Sequence, residues 1–256
     1  MDPATLIGIA LAVVSLLALM IMEGSSPMAI VLLPPLILVF GGTFGAAIAG
    51  SAMADVKKIG AWFKMALLPA KVPPVSDRIA TLVGLAEKAR KEGLLALEAQ
   101  VKAIEDPFLR RGLQMGIDGT DPEELRTVLE SEIAAKKAED KVAAKFMTAM
   151  GGYAPTIGIV GCIVGLMNVM GSLSNPEALG PMIAAAFVAT LWGVMAANFW
   201  FLPMGAKILR VSELQAAQME LLVEGITEIQ AGTSPRAVRL KLNSLVPPSA
   251  LAKEAA

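Results

Sequence analysis

Side chains able to do chemistry are scarce in this chain, and which ones are missing is informative. Among 256 residues there is no histidine and one cysteine, Cys162. A histidine-based triad, a histidine-ligated metal and an intramolecular disulfide are therefore excluded. Polar groups do recur inside long apolar stretches: Thr156, Cys162, Asn168, Thr190 and Asn198, with Pro155 and Pro203 among them. A proline inside a membrane helix lacks the N–H that would bond the carbonyl one turn back, so that oxygen is freed. Such groups either line a path for an ion or hold helices together. The second reading also takes in Gly158, Gly161, Gly165 and Gly193 as close-packing positions. None of the apolar cores contains Asp, Glu, Lys, Arg or His. Intramembrane ionisable groups are normally functional, so either this chain moves no ion or a partner supplies the carboxylate.

The elements that must position these groups follow from composition and charge placement. The chain is 55% hydrophobic and 18% charged, with a mean hydropathy of +0.63; a soluble domain carries about 25% charged residues. The net charge of −1 argues against a nucleic-acid partner, which needs a basic surface. The 5% aromatic content is thin for a stacking platform or a carbohydrate site. A membrane protein that is not an enzyme is expected. All 22 Lys and Arg fall between Lys57 and Lys145 or between Lys207 and Lys253. Each of the two basic-free stretches has room for two helices of about 20 residues, the length that crosses about 30 Å of hydrocarbon. The spans are predicted over Pro3 to Met22, Met28 to about Ala54, Thr148 to Met170, and Pro181 to Pro203. The first lacks the basic leader and cleavage site of a secretory signal. The connectors around Glu23 and Glu177 carry no Lys or Arg and belong outside, which puts both termini in the cytoplasm.

The expected fold is an all-α membrane protein of four transmembrane helices, with a helical cytoplasmic domain and long helices extending into the cytoplasm. Residues 1–54 hold spans one and two, 55–147 the cytoplasmic domain, 148–204 spans three and four, and 205–256 a helical tail. Within the middle block, Val75 to Lys91 has helical apolar spacing and a basic C-terminal end. Gly93 stands where a left-handed cap is expected. Helical pieces follow over Leu94 to Ile104 and Phe108 to Met115, the latter broken by Gly116 and Asp118-Gly119. Thr120-Asp121-Pro122-Glu123-Glu124 opens a long helix with a cap, a proline and first-turn carboxylates. That helix is predicted to run through Lys145 into the third span, and the fourth span to continue past Pro203 to Ile229. Pro247 to Ala256 reads as a frayed tail.

Three motifs carry a resemblance. Tyr153-Ala154-Pro155-Thr156-Ile157-Gly158-Ile159-Val160-Gly161 resembles the third-helix signature of the MotA family of flagellar motor stator subunits, in the MotA/TolQ/ExbB proton channel superfamily. Ala185 to Gly193, followed by Pro203, resembles the fourth-helix signature. Ala89-Arg90-Lys91-Glu92-Gly93-Leu94-Leu95-Ala96-Leu97-Glu98 is similar to the cytoplasmic motif whose charges face the rotor. The likeness implies a homo-pentamer around two copies of a MotB-like partner with a single span, a membrane Asp and a peptidoglycan-binding domain. Inward ion flow would turn the ring against the flagellar rotor protein FliG, in the bacterial inner membrane. The missing carboxylate then sits on the enclosed partner, and no ring subunit exposes a charge to lipid at a cost of about 2.5–3.5 kcal/mol.

By the same resemblance, Tyr153, Pro155, Thr156, Cys162, Thr190 and Pro203 belong to the ion path, and Arg90 and Glu98 to the rotor contact. On residue chemistry alone Arg90 and Glu98 read equally as a solvated surface pair, and Cys162 as a small packing residue. No cofactor is expected. Protons are favoured over sodium because the neutral thiol of Cys162 stands where sodium-driven relatives usually offer a threonine oxygen. Leu191-Trp192-Gly193 with Asn198 looks more like the sodium type. The rivals are an ExbB/TolQ-like subunit, which has a three-span plan, another envelope motor on the same core, and a passive scaffold.

Overall fold

The computed structural model describes residues 2–69 and 72–247, and all regular structure among them is helical. The chain folds as two compact units. One comprises Met1–Ala70 with Asp140–Arg210, the other Lys71–Glu139 with Val211–Ala256.

In the first unit, α1 (Pro3–Met22) starts where the Asp2 carboxylate accepts the Ala4 N–H at 3.1 Å and Pro3 occupies the first helical position. Asp2 also pairs with Lys207 at 2.7 Å. Only Met20 of α1 is buried; a helix apolar on every side and unburied in its own chain is suited to lipid or a neighbouring helix. A short turn, Pro27–Ile30, leads to α2 (Leu33–Ala49). Here the structure departs from the expected span of Met28 to Ala54. Pro34 and Pro35 have no N–H to give, so they sit in the first turn, where amides are unpaired in any case, and the helix begins there. Gly50 and Ser51 end it. At about 25 Å, α2 is shorter than the hydrocarbon thickness of about 30 Å. The helices long and apolar enough to cross a membrane are α1 and the apolar parts of the two long helices below. After a single turn, Met53–Val56, α3 (Ile59–Leu67) buries Trp62 and Ala66.

The second unit opens with α4 (Val75–Glu92). Gly93 ends it at φ 88°, ψ 162°. The positive φ is as expected, but the extended ψ is not the left-handed cap, and it is a conformation open essentially to glycine alone. The chain then makes one 3₁₀ turn, Leu94–Leu97, before α5 (Glu98–Ala103) and α6 (Pro107–Ile117). Asp106 caps α6 through the amides of Phe108 and Leu109 and pairs with Arg78 at 2.5 Å. Gly116 does not break α6, contrary to expectation. It is buried within the helix, and the turn falls on Gly119 at φ 81°.

Helix α7 (Pro122–Gly171) begins at Asp121, whose carboxylate accepts the Glu123 N–H at 2.9 Å, and continues for 50 residues. Helix α8 (Pro176–Gln230) starts five residues before the expected Pro181 and includes a π-helical turn at Ala196–Phe201. Gly232, at φ 70°, follows it, and α9 (Pro235–Ser244) is capped by Ser234. Leu82, Leu97, Leu109, Leu125, Leu129, Leu222, Ile226 and Leu242 form the core of the second unit. The expected frayed tail lies, beyond Pro247, outside the described residues.

Candidate functional site

The site is the seam between the apolar parts of α7 and α8, and glycine sets its spacing. A Cβ on Gly193 would meet the Ala154 carbonyl oxygen at 2.5 Å and the Gly158 Cα at 3.1 Å. One on Gly158 would meet the Ala189 carbonyl oxygen at 2.7 Å, and one on Gly165 would meet Ala186 at 2.6 Å. Backbone thus lies on backbone, the arrangement by which membrane helices associate when water supplies no hydrophobic drive. The packing role foreseen for Gly158, Gly165 and Gly193 is therefore observed. Gly161 extends it to α2, since a Cβ there would meet both Ala189 and Leu38 at 2.8 Å.

Thr190 is half-buried in this seam, and its hydroxyl donates across the helices to the Gly158 carbonyl at 3.4 Å, a long contact. Pro155 offers no N–H to the Gly151 carbonyl one turn back. Gly151 packs against Leu202, the neighbour of Pro203. Pro203 follows the π-helical turn Ala196–Phe201; the widened turn accommodates a residue that would otherwise clash with a carbonyl. Tyr153 and Thr156 are on the exposed side of α7, where the Thr156 hydroxyl bonds back to the Tyr153 carbonyl at 2.8 Å. Cys162 is half-buried, and Pro203 is exposed. Within one chain, then, Thr190 lies inside the seam while Tyr153, Thr156 and Pro203 present outward.

The seam has supports that the sequence did not reveal. Trp192 donates its indole N–H to the Ile30 carbonyl at 2.6 Å, tying the connector after α1 to α8. Its ring stacks on Trp200 at 6.3 Å and meets Phe40 edge-on at 6.0 Å. The α1 cap Asp2 and Thr5 of α1 both hold the Lys207 ammonium of α8. These partners are more than 160 residues apart in the chain, so no local pattern announces them. Trp192→Phe keeps the ring and deletes the donor. It is expected to destabilise the chain by about 1 kcal/mol and to lower the thermal midpoint in detergent by a few degrees; an unchanged midpoint would show that the bond contributes nothing.

In the second unit Arg90 is exposed, and Glu98 pairs not with it but with Lys102, at 2.9 Å. That hydrogen bond draws the Glu98 carboxyl below its ordinary value. The two residues stand either side of Gly93, and neither is buried.

Residues 100–221 match the model of the MotA/TolQ/ExbB proton channel family. The chain is 32% identical over 247 residues to motility protein A of Bacillus subtilis, covering 96% of this chain and 92% of that one. To motility protein A of Helicobacter pylori it is 36% identical over 248 residues, covering 97% and 96%. The chain belongs to the MotA family of flagellar motor stators. Its fold is also that of two solved relatives. The MotAB structure from C. jejuni superposes with a TM-score of 0.92 at 30% identity, covering 97% of both chains. The flagellar MotAB stator complex from Bacillus subtilis gives 0.92 at 32%, covering 98% of both. The TolQ and ExbB branch shares the family model, but the near-complete coverage is with motility proteins.

Proposed function

We propose that this chain is the ring subunit of a flagellar stator, five copies enclosing two copies of a MotB-like partner, and that it conducts ions rather than catalysing a reaction. The observation that carries the reading is the α7–α8 seam. It offers a threonine hydroxyl and a mid-helix proline but no Asp, Glu, Lys or Arg, in a chain that resembles MotAB stator subunits along nearly all its length. The partner's carboxylate would supply the charge, and the outward-facing Tyr153, Thr156 and Pro203 would line the path or the contacts around it. We take α2, lengthened by its flanking turns, as the second of four spans, with both termini on the cytoplasmic side of the inner membrane. Arg90 and Glu98 would meet FliG.

Topology is tested with single cysteines in a Cys162→Ala background. Positions 25 and 174 are expected to react with an impermeant reagent applied to intact cells, and position 121 to stay unlabelled; labelling at 121 would overturn the four-span arrangement. The coupling ion is tested by swimming. A deletion strain should not swim, and complementation should restore motility that a proton uncoupler abolishes and sodium removal does not. Cys162→Ala should swim as the parent does. Speed that follows external sodium would reverse the assignment.

A further inference from the structure

A cavity of about 220 Å³ opens where α2, the turn after it, α3 and α7 meet, lined among others by Ser51, Asp55, Trp62, Lys145, Phe146 and Tyr153. Its walls combine opposite charges with apolar surface. Among the described residues neither Asp55 nor Lys145 has an ion-pair partner, although both line the same small space. Trp62 is 5% exposed, yet its indole N–H meets no acceptor among the described residues. This side chain borders the cavity and can offer its N–H to a ligand there. The cavity also sits where the basic residues begin and end, between Lys57 and Lys145, with Trp and Tyr placed as they are at a membrane–water interface.

We propose that this cavity binds the headgroup of a zwitterionic phospholipid carrying a primary ammonium, phosphatidylethanolamine. The carboxylate of Asp55 accepts from the ammonium, and Lys145 and the Trp62 N–H donate to the phosphate. The volume equals about seven waters at ~30 Å³ each, the size of a phosphoethanolamine group. A choline headgroup has no N–H for Asp55, and an anionic glycerol headgroup sets a phosphate near that carboxylate with no cation between, so both should bind less well. The proposal rests on the membrane setting given above but not on ion coupling, and labelling at positions 25 and 174 reads that setting separately.

The test is native mass spectrometry of the full chain, delipidated in detergent and then given dioleoyl phosphatidylethanolamine, phosphatidylcholine or phosphatidylglycerol. Retention of the ethanolamine lipid about tenfold above the other two is expected. Asp55→Asn should level ethanolamine with choline, and Trp62→Phe should lower retention of the ethanolamine lipid about threefold; melting in detergent verifies that both variants fold. Equal retention of the three lipids, or selectivity unchanged in Asp55→Asn, would overturn the site. Soluble phosphoethanolamine is expected to compete only weakly. Full displacement by it at equimolar concentration would assign the cavity to a free zwitterion and overturn the lipid.

Discussion

Gly193→Val is expected to separate the two helices of the membrane unit and to abolish swimming. The reason is geometric. Even the first side-chain carbon at this position would lie 2.5 Å from the Ala154 carbonyl oxygen and 3.1 Å from the Gly158 Cα. Neither obstacle is the end of a flexible side chain, so relief requires α7 and α8 to move apart as rigid bodies. Separation breaks the Thr190–Gly158 contact and opens the neighbouring positions at Gly161 and Gly165. Overpacking costs about 1–3 kcal/mol and occasionally more, and a backbone-on-backbone clash belongs at the upper end. Size-exclusion profiles in detergent should show loss of the assembled species, and swarm plates no expansion. Gly45→Val is the control, because a Cβ at Gly45 meets nothing within 4 Å. A folded, motile Gly193→Val strain would show that the seam is not held this tightly.

Glu224→Gln should loosen the second unit by about 2 kcal/mol. Glu224 lies on α8 with its side chain 14% exposed, and it joins Arg126 of α7, at 2.7 Å, to Lys241 of α9. Lys241 also holds Glu228 at 2.5 Å. Burial alone would push the Glu224 carboxyl up, but the hydrogen bonds from Lys241 and Arg126 prevail and bring it below 4.5. Lys241 and Thr233 lower Glu228 in the same direction. Breaking a fully buried pair costs about 3–5 kcal/mol. Arg126 and Lys241 are 36% and 48% exposed, so solvent screening reduces that figure.

The sign of the pH dependence follows from these lowered values. Both carboxylates contribute fully above the unfolded value near 4.5, and that contribution is lost as pH falls through the lower folded values. Deuterium uptake in residues 220–244 of the full chain should rise below pH 4.5 in the parent. At neutral pH it should already be raised in Glu224→Gln. Uptake there equal to the parent's would remove the triad as a fastener.

Features that depend on neighbours in the chain were legible before the fold was known. Asp121 with Pro122 marks a helix start because a carboxylate caps free amides and proline lacks the one it would waste. The α4 prediction ended one residue short, at Lys91 rather than Glu92. The continuity of α7 from the charged block into the apolar one is readable too, since neither Gly nor Pro occurs between Pro122 and Gly151. The same local chemistry misled at two positions. The spacing predicts Pro34-Pro35 inside a span, whereas the two prolines open the helix, and it predicts a break at Gly116, which instead lies buried within α6.

By itself, then, the sequence determined the helical class, the apolar and charged blocks, the starts of α1, α4 and α7 and, through its motifs, the family. These depend on hydrophobicity, spacing and capping, which act within a few residues. Only the tertiary structure decided that Gly193 lies on Ala154, that Trp192 reaches Ile30, that Lys207 holds Asp2, and that Asp55 and Lys145 border one cavity. The physical reason is that each of these pairs joins separate helices. Helical periodicity states which face of each is small or polar, whereas their register against one another is set by close packing of the whole unit.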